Sequence, residues 1–297
     1  MDRYLGIDKN LTAVLVLILV GTGALPSRSD EPVNSPGFRI ELQTAGQGFD
    51  KKTCWVHARA GVIPDEGEDD PKIVMTMQKL LLSGSDVFYA LNEMRTDVLG
   101  KTWVGPVEHE TLGRRHEPDG IEVCICDVTP KWHAATGKLL GTGQSVRYQD
   151  NHVMKVRRRE VAYSVYDAES RTWSPWTSVE LPEAREDFHN AGAGSGQRYD
   201  LPNGEILLPI YCKRPEETQF STTVLRCAFD GEKLRYIEHG SEHTVPIKRG
   251  LAEPSITKFG DRYFLTLRND ESGYVTSGTD GLHFDEPIKW KFDDGEE

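Results

Sequence analysis

No stretch of this chain is apolar for long enough to span a bilayer comfortably. No two cysteines stand in a Cys-x-x-Cys spacing, and no segment beyond the N-terminus repeats with a helical period. Basic residues are the minority, 35 Lys and Arg against 47 Asp and Glu, for a formal net charge of -12. So acidic a chain repels phosphate backbones and anionic headgroups, which argues against nucleic acid and against stable membrane association. The five cysteines, Cys54, Cys124, Cys126, Cys212 and Cys227, include no clustered fourth ligand, so no metal is expected. Cys124 and Cys126 lie two apart in a strand-like run, share one face and are poorly placed to bond each other. Cys212 and Cys227 are placed to pair across neighbouring strands, and most of the five are expected to be buried and inert. No organic cofactor is implied.

The N-terminus has the pattern of an export signal. Arg3 and Lys9 precede an apolar run from Leu11 to Val20, and small and turn residues follow through Ser29. Cleavage near Ser29 gives a secreted or periplasmic protein with no membrane attachment; the competing reading is a retained anchor. Residues 1–29 are therefore set aside as signal and 30–45 as linker, leaving 46–297 for the fold.

What fills that span is short apolar runs rich in β-branched and aromatic residues: 73–79, 87–94, 161–167, 205–211, 222–229 and 262–268. Turn signals separate them at Pro202-Asn203-Gly204, Asp230-Gly231, Gly260-Asp261 and Asp280-Gly281. The class is all-β. A motif also recurs. The spacing from Asp97 to Trp103 equals that from Asp167 to Trp173, and Asp230-Gly231 with Leu234 is echoed by Asp280-Gly281 with Phe284. These turns return about every 50 to 70 residues, the period of propeller blades. Four units follow, roughly 50–110, 120–183, 188–247 and 250–291, each with three clear strands, a turn and a weaker fourth strand. They predict about four four-stranded blades, either a complete small propeller or part of an incomplete six-bladed ring; the second is expected.

Three features together resemble the sialidase superfamily. Thr96, Gly100, Thr102 and Trp103, and likewise Ser277, Gly281 and Phe284, look like degenerate Asp-boxes, with Asp97 and Asp280 each displaced by one place. His57-Ala58-Arg59-Ala60-Gly61-Val62-Ile63-Pro64 occupies the place of that family's Phe-Arg-Ile-Pro segment, and Gly84-Ser85-Asp86 precedes the third strand of the unit. Ala191 to Gln197 with Leu201 to Pro209 resembles the third-blade strand pair. Glu253-Pro254-Ser255-Ile256, then Leu265 to Arg268, resembles the family's glutamate and second arginine. The resemblance implies Arg59 and Arg268 as ligands of an anionic sugar group, Asp86 as acid/base and Glu253 as partner of a nucleophile. The tyrosine nucleophile and third arginine that the family uses have no matching segment in the sequence.

Each residue also has a plainer reading. Asp86 is equally suited to capping a turn, and Arg59 and Glu253 to an ion pair inside the ring. Arg268 ends an apolar strand, where an unpaired arginine is costly. His189, beside Asn190 and a Gly-rich run, is either a catalytic base in a lyase-like site or a hydrogen-bonding wall. The run Arg157-Arg158-Arg159 reads as a solvated loop, and Trp55, Trp132 and Trp176 as core or as sugar platforms. The resulting expectation is an exo-acting glycoside hydrolase on an anionic glycan, with a polysaccharide lyase using His189 or a non-catalytic glycan-binding propeller as rivals.

Overall fold

The computed structural model describes residues 40, 42–65, 67, 70–84 and 86–295. The signal-like residues 1–29, most of 30–45, and Ser85 lie outside the described residues. The chain divides into 1–43 and a compact unit, 44–297, which carries everything below.

Four antiparallel sheets follow one another along the chain. The first is β1 (Thr53–Ile63), β2 (Lys72–Leu81), β3 (Phe88–Thr96) and β4 (Val104–Glu108), hydrogen-bonded in that order. The second holds β5 (Arg115–Glu117), β6 (Ile121–His133), β7 (Lys138–Gln149), β8 (His152–Val153), β9 (Val161–Asp167), β10 (Thr172–Trp173) and β11 (Thr177–Ser178), with the path β10-β9-β7-β6-β5. The third is β12 (Asn190–Gly192), β13 (Tyr199–Asp200), β14 (Ile206–Lys213), β15 (Ser221–Phe229) and β16 (Leu234–His239), with β13 also on β14. The last is β17 (Ala252–Phe259), β18 (Arg262–Arg268), β19 (Gly273–Gly278) and β20 (Ile288–Lys289). Among the described residues there is no α-helix. Apart from the short β5, which precedes the second unit, the four sheets fall within the four units read from the sequence.

The sheets stack face to face, and the strand sequences show which are covered on both sides. In β9, Val161, Tyr163 and Val165 pack into the cluster shared with the third sheet, while Ala162 and Tyr166 turn into the cluster shared with the first. In β14, Ile206, Leu208 and Ile210 face the second sheet and Leu207 the fourth. A strand sandwiched in this way reads as a continuous apolar run. β18 instead alternates, with Tyr263, Leu265 and Leu267 buried toward the third sheet. Among the described residues no buried cluster joins the fourth sheet back to the first, so the blades form an open stack, as in an incomplete propeller.

The recurring aspartates pin the hairpins between third and fourth strands. Asp230 Oδ1 accepts from the backbone N–H groups of Glu232 and Lys233 at 3.0 and 2.8 Å, and Asp280 Oδ1 from those of Leu282 and His283 at 2.9 and 2.7 Å. The glycines that follow, Gly231 and Gly281, take φ of 100° and 80°, where a side chain is strained. Each turn then delivers a buried apolar residue, Leu234 or Phe284, to the inter-sheet core. Asp167 does the same for Trp173, and Thr96 Oγ1 replaces the aspartate in the first sheet, accepting from Val98 and Gly100.

The cysteine pairing expected across neighbouring strands does not form, and all five thiols are free. In the β14–β15 register Cys212 lies opposite Ser221 and Cys227 opposite Ile206, at the two far ends of the pair. Burial pushes the Cys124 and Cys227 thiols up to about 12, which keeps them inert. Trp176 is core, Trp132 packs partly buried against it, and Trp55 lies beneath Lys79 at 5.3 Å.

Candidate functional site

One feature repeats on the inner strand of three sheets. Between Val56 and Arg59, between Cys126 and Thr129, and between Ala252 and Ser255, the register slips by one residue against the neighbouring strand. The residue that opens each bulge is not glycine, yet has positive φ: His57 at 57°, Asp127 at 56° and Glu253 at 48°. In the third sheet Ser195, at φ 65°, follows the short β12. Holding such residues in the left-handed region costs about 1–3 kcal/mol each, and bulges of this kind re-aim a side chain. All four point into one cavity of about 720 Å³, the size of a small-ligand pocket.

The Gly-rich run admits the third sheet to that cavity. A Cβ on Gly194 would stand 2.9 Å from Asp127 Cβ, and one on Gly196 would overlap the Pro254 carbonyl oxygen. Only glycine lets the backbone pass between the second and fourth inner strands there.

Arg59, Asp86, Glu253 and Arg268 all line the cavity. Arg59 Nη2 donates to Ser195 Oγ at 3.0 Å and lies 3.4 Å from Asp127 Oδ1. Glu253 Oε1 accepts from Arg268 Nη1 at 2.6 Å, and Arg268 Nη2 stands 3.6 Å from Asp270. Both arginines are thus paired, each with a carboxylate of an inner-strand bulge. Arg268 is also half-exposed, its side chain retaining 51% of its accessible surface, so the penalty expected from its apolar strand does not arise. Asp86 is an exposed rim residue with φ 55°, its backbone carbonyl accepting from the Tyr148 hydroxyl at 3.0 Å.

His189 is not brought to this cavity. It ends a 3-10 turn, Glu186–His189, is exposed, and lines a neighbouring cavity of about 750 Å³ between the second and third sheets. Its neighbour Asn190 turns inward instead and is 4% exposed. The reading of Arg157-Arg158-Arg159 as a solvated loop holds for Arg158 and is overturned for Arg159. Arg159 forms a parallel bridge with Asn190, is 4% exposed and stacks over Tyr211, its Cζ 3.9 Å from the ring centre. Arg157 also lines the cavity. A triple-arginine run looks solvated because charge alone predicts exposure; the bridge that buries one member is a contact between sheets, absent from any local pattern.

Asp127 was not singled out by the sequence and is the most connected group in the site. His57 Nδ1 lies 2.9 Å from Asp127 Oδ1, though not aligned for a straight hydrogen bond, and Gln144 Nε2 donates to Oδ2 at 2.9 Å. Burial on its own would push this carboxyl up. His57, the charge of Arg59 and the Gln144 amide outweigh burial and hold it down at about 2. No local sequence signal marks Asp127: it follows Cys126 as Glu253 follows Ala252, each the first residue of a bulge, and that equivalence exists only in the strand register. Gln144 Oε1 accepts from the Tyr211 hydroxyl at 2.9 Å and from Arg159 Nη1 at 3.1 Å, so one amide ties the second sheet to the third. Among the described residues no group of three or more His, Cys, Asp and Glu side chains is placed to hold a metal ion.

No protein-family description and no curated protein matches the sequence. Solved structures do match the fold. A Hadza microbial sialidase, Hz136, superposes with TM-score 0.60 at 12% identity over 80% of this chain and 46% of its own. Trypanosoma rangeli sialidase in complex with sialic acid gives TM-score 0.54 at 15% identity, over 77% of this chain and 37% of that one. NanB, solved with Optactamide, gives 0.56 at 9% identity, over 84% and 54%. The chain therefore has a sialidase-like β-propeller fold and spans 46%, 37% and 54% of these three chains. At such identities the likeness concerns fold and leaves chemistry to the site.

Proposed function

We propose that the cavity between the inner strands binds an anionic glycan and that the chain acts on it as an exo-acting glycoside hydrolase without ordinary sialidase activity. The observation that carries this reading is the convergence on one cavity of Arg59 and Arg268 with the carboxyl groups Asp86 and Glu253. The two guanidinium groups, planar and fork-shaped, suit a sugar carboxylate or sulfate. Asp86, at the rim, is the acid that protonates the glycosidic oxygen, and Glu253 orients the group or water attacking the anomeric carbon.

Sialidase chemistry of the family type needs an activated tyrosine. Among the described residues the tyrosine that lines the cavity is Tyr211; its hydroxyl donates to Gln144, and burial pushes its pKa up. A phenol held protonated is a poor nucleophile. The similarity of the fold to sialidases, one of them solved with sialic acid, supports a sugar ligand without naming it. Export with cleavage near Ser29 belongs to the same proposal, and mass spectrometry of the expressed product checks it.

A second reading is favoured by the His57–Asp127 pair. A carboxylate beside an imidazole at the cavity wall suits removal of the proton next to a uronate carboxylate, with departure of the glycosidic oxygen and formation of a double bond. Incubation with a fluorogenic sialoside, uronate oligosaccharides and sulfated oligosaccharides separates the readings. Release of sugar from an acidic, non-sialic substrate that is lost in Asp86→Asn supports hydrolysis. An ultraviolet-absorbing unsaturated product lost in His57→Gln supports elimination. Sialoside turnover lost in Asp86→Asn would overturn the proposal.

A further inference from the structure

The cavity holds more positive charge than its carboxylates balance. Arg59, Arg157, Arg159, Lys213, Arg249 and Arg268 line it against Asp86, Asp127 and Glu253. Three of the six are paired: Arg59 with Asp127, Arg268 with Glu253, and Arg249 with Asp270 through two contacts of 2.7 Å. Arg157, Arg159 and Lys213 are not; among the described residues none of them makes a salt bridge. Their hydrogen bonds go to neutral oxygens, Arg157 to the Met154 carbonyl at 2.6 Å, Arg159 to Gln144, and Lys213 to the Glu217 carbonyl at 2.7 Å.

These three sit side by side by construction of the fold. Arg159 bridges Asn190 in parallel, and Asn190 is paired with Lys213 across β12 and β14. Arg159 Cζ and Lys213 Nζ approach the same ring, Phe220, at 4.9 and 5.1 Å from its centre. The Nε atoms of Arg157 and Arg159 and the Oδ1 of Asn190 are buried with no hydrogen-bond partner. Burial, then the neighbouring arginine charge, lowers the pKa of Arg157, and Lys213 is lowered by burial and by both arginines. A buried guanidinium with an unused donor, crowded by like charge, is costly unless something negative arrives.

Resting on the anionic-glycan reading, we propose that Arg157, Arg159 and Lys213, with Asn190 as acceptor for a neighbouring hydroxyl, form a second oxyanion subsite. It is built from other residues than Arg59 and Arg268 and takes a sulfate ester or carboxylate on the same oligosaccharide. The preferred ligand is then a glycan bearing two anionic groups, and the formal net charge of -12 disfavours highly charged polyanions bound elsewhere.

Calorimetry with a uronate disaccharide, the same disaccharide carrying one sulfate ester, and a disaccharide of two uronates tests this. The second anion should tighten binding by about tenfold or more, the worth of one charge-assisted contact. Comparing the sulfated with the doubly carboxylated sugar shows which oxyanion fits. Arg157→Gln and Lys213→Gln, both only partly buried residues, should each remove most of that gain and weaken the singly charged disaccharide by less. Arg157→Lys should restore part of it. Equal affinity for all three sugars, unchanged by the variants, would overturn the subsite while leaving the anionic-glycan reading intact; absence of binding to any of them would overturn both. Inorganic sulfate gives a check independent of the sugar. Exchanged for chloride at matched ionic strength, it should raise the melting midpoint more in the wild type than in Arg157→Gln, and an equal rise in both also counts against the subsite.

Discussion

Replacing Asp127 by asparagine keeps the shape of the side chain and removes the charge on which the inner-strand network closes. In the native state this carboxyl ionises at about 2, against 3.8 for an ordinary aspartate, because His57, Arg59 and Gln144 outweigh the burial that opposes ionisation. The gap between those two values corresponds to about 2 kcal/mol of stability. Its sign follows from proton binding: between 3.8 and about 2 the unfolded chain takes up a proton that the folded chain refuses, so acid favours unfolding. The contribution is fully present above the unfolded value, about half gone near pH 3, and lost as the pH falls through the folded value. Urea unfolding of Asp127→Asn at neutral pH should therefore show a loss of about 2 kcal/mol with an unchanged dependence on urea concentration. The difference from wild type should shrink to about half near pH 3. Other aspartates, Asp230 and Asp280 among them, are also lowered and contribute to acid unfolding, but they contribute equally to both proteins and cancel in the difference. Equal urea midpoints at neutral pH, or a gap that does not narrow in acid, would refute the account of Asp127 as a carboxylate held ionised by the network.

Gly194→Ala should destabilise by about 1–3 kcal/mol, because its new methyl meets Asp127 Cβ and the Gln144 amide; the urea midpoint reads the change. Leu225→Ala empties a fully buried position in the cluster between the second and third sheets and should cost about 2–5 kcal/mol by the same measurement. A thiol reagent at mildly alkaline pH should modify only the half-buried Cys54 in the native protein and all five cysteines in urea; rapid native labelling of more than one would contradict the buried thiols.

The chain by itself determined the all-β class, the number of blades and the positions of the hairpins, because each rests on neighbours in sequence. Apolar runs of strand length, an Asp-Gly turn that binds its own backbone, and an apolar residue four places later are local chemistry, repeated in register. The run 205–211 lacks polar alternation because, in the folded protein, its strand is covered on both faces, which only the packing of the sheets shows. Arg59, Asp86, Glu253 and Arg268 were nominated through resemblance to a known family, and the fold brings them to one cavity. Asp127, His57 and Gln144 were not legible. Their roles depend on a one-residue bulge that turns a strand side chain through to the other face, and a bulge exists only relative to the partner strand. Arg159 is the sharpest case. Nothing in Arg157-Arg158-Arg159 separates its three members, and only the bridge to Asn190 decides that one is enclosed while Arg158 stays in water. His189 and Asn190 differ in the same way: adjacent residues at a strand edge face opposite sides, and the tertiary packing, not their chemistry, selects which one enters the cavity.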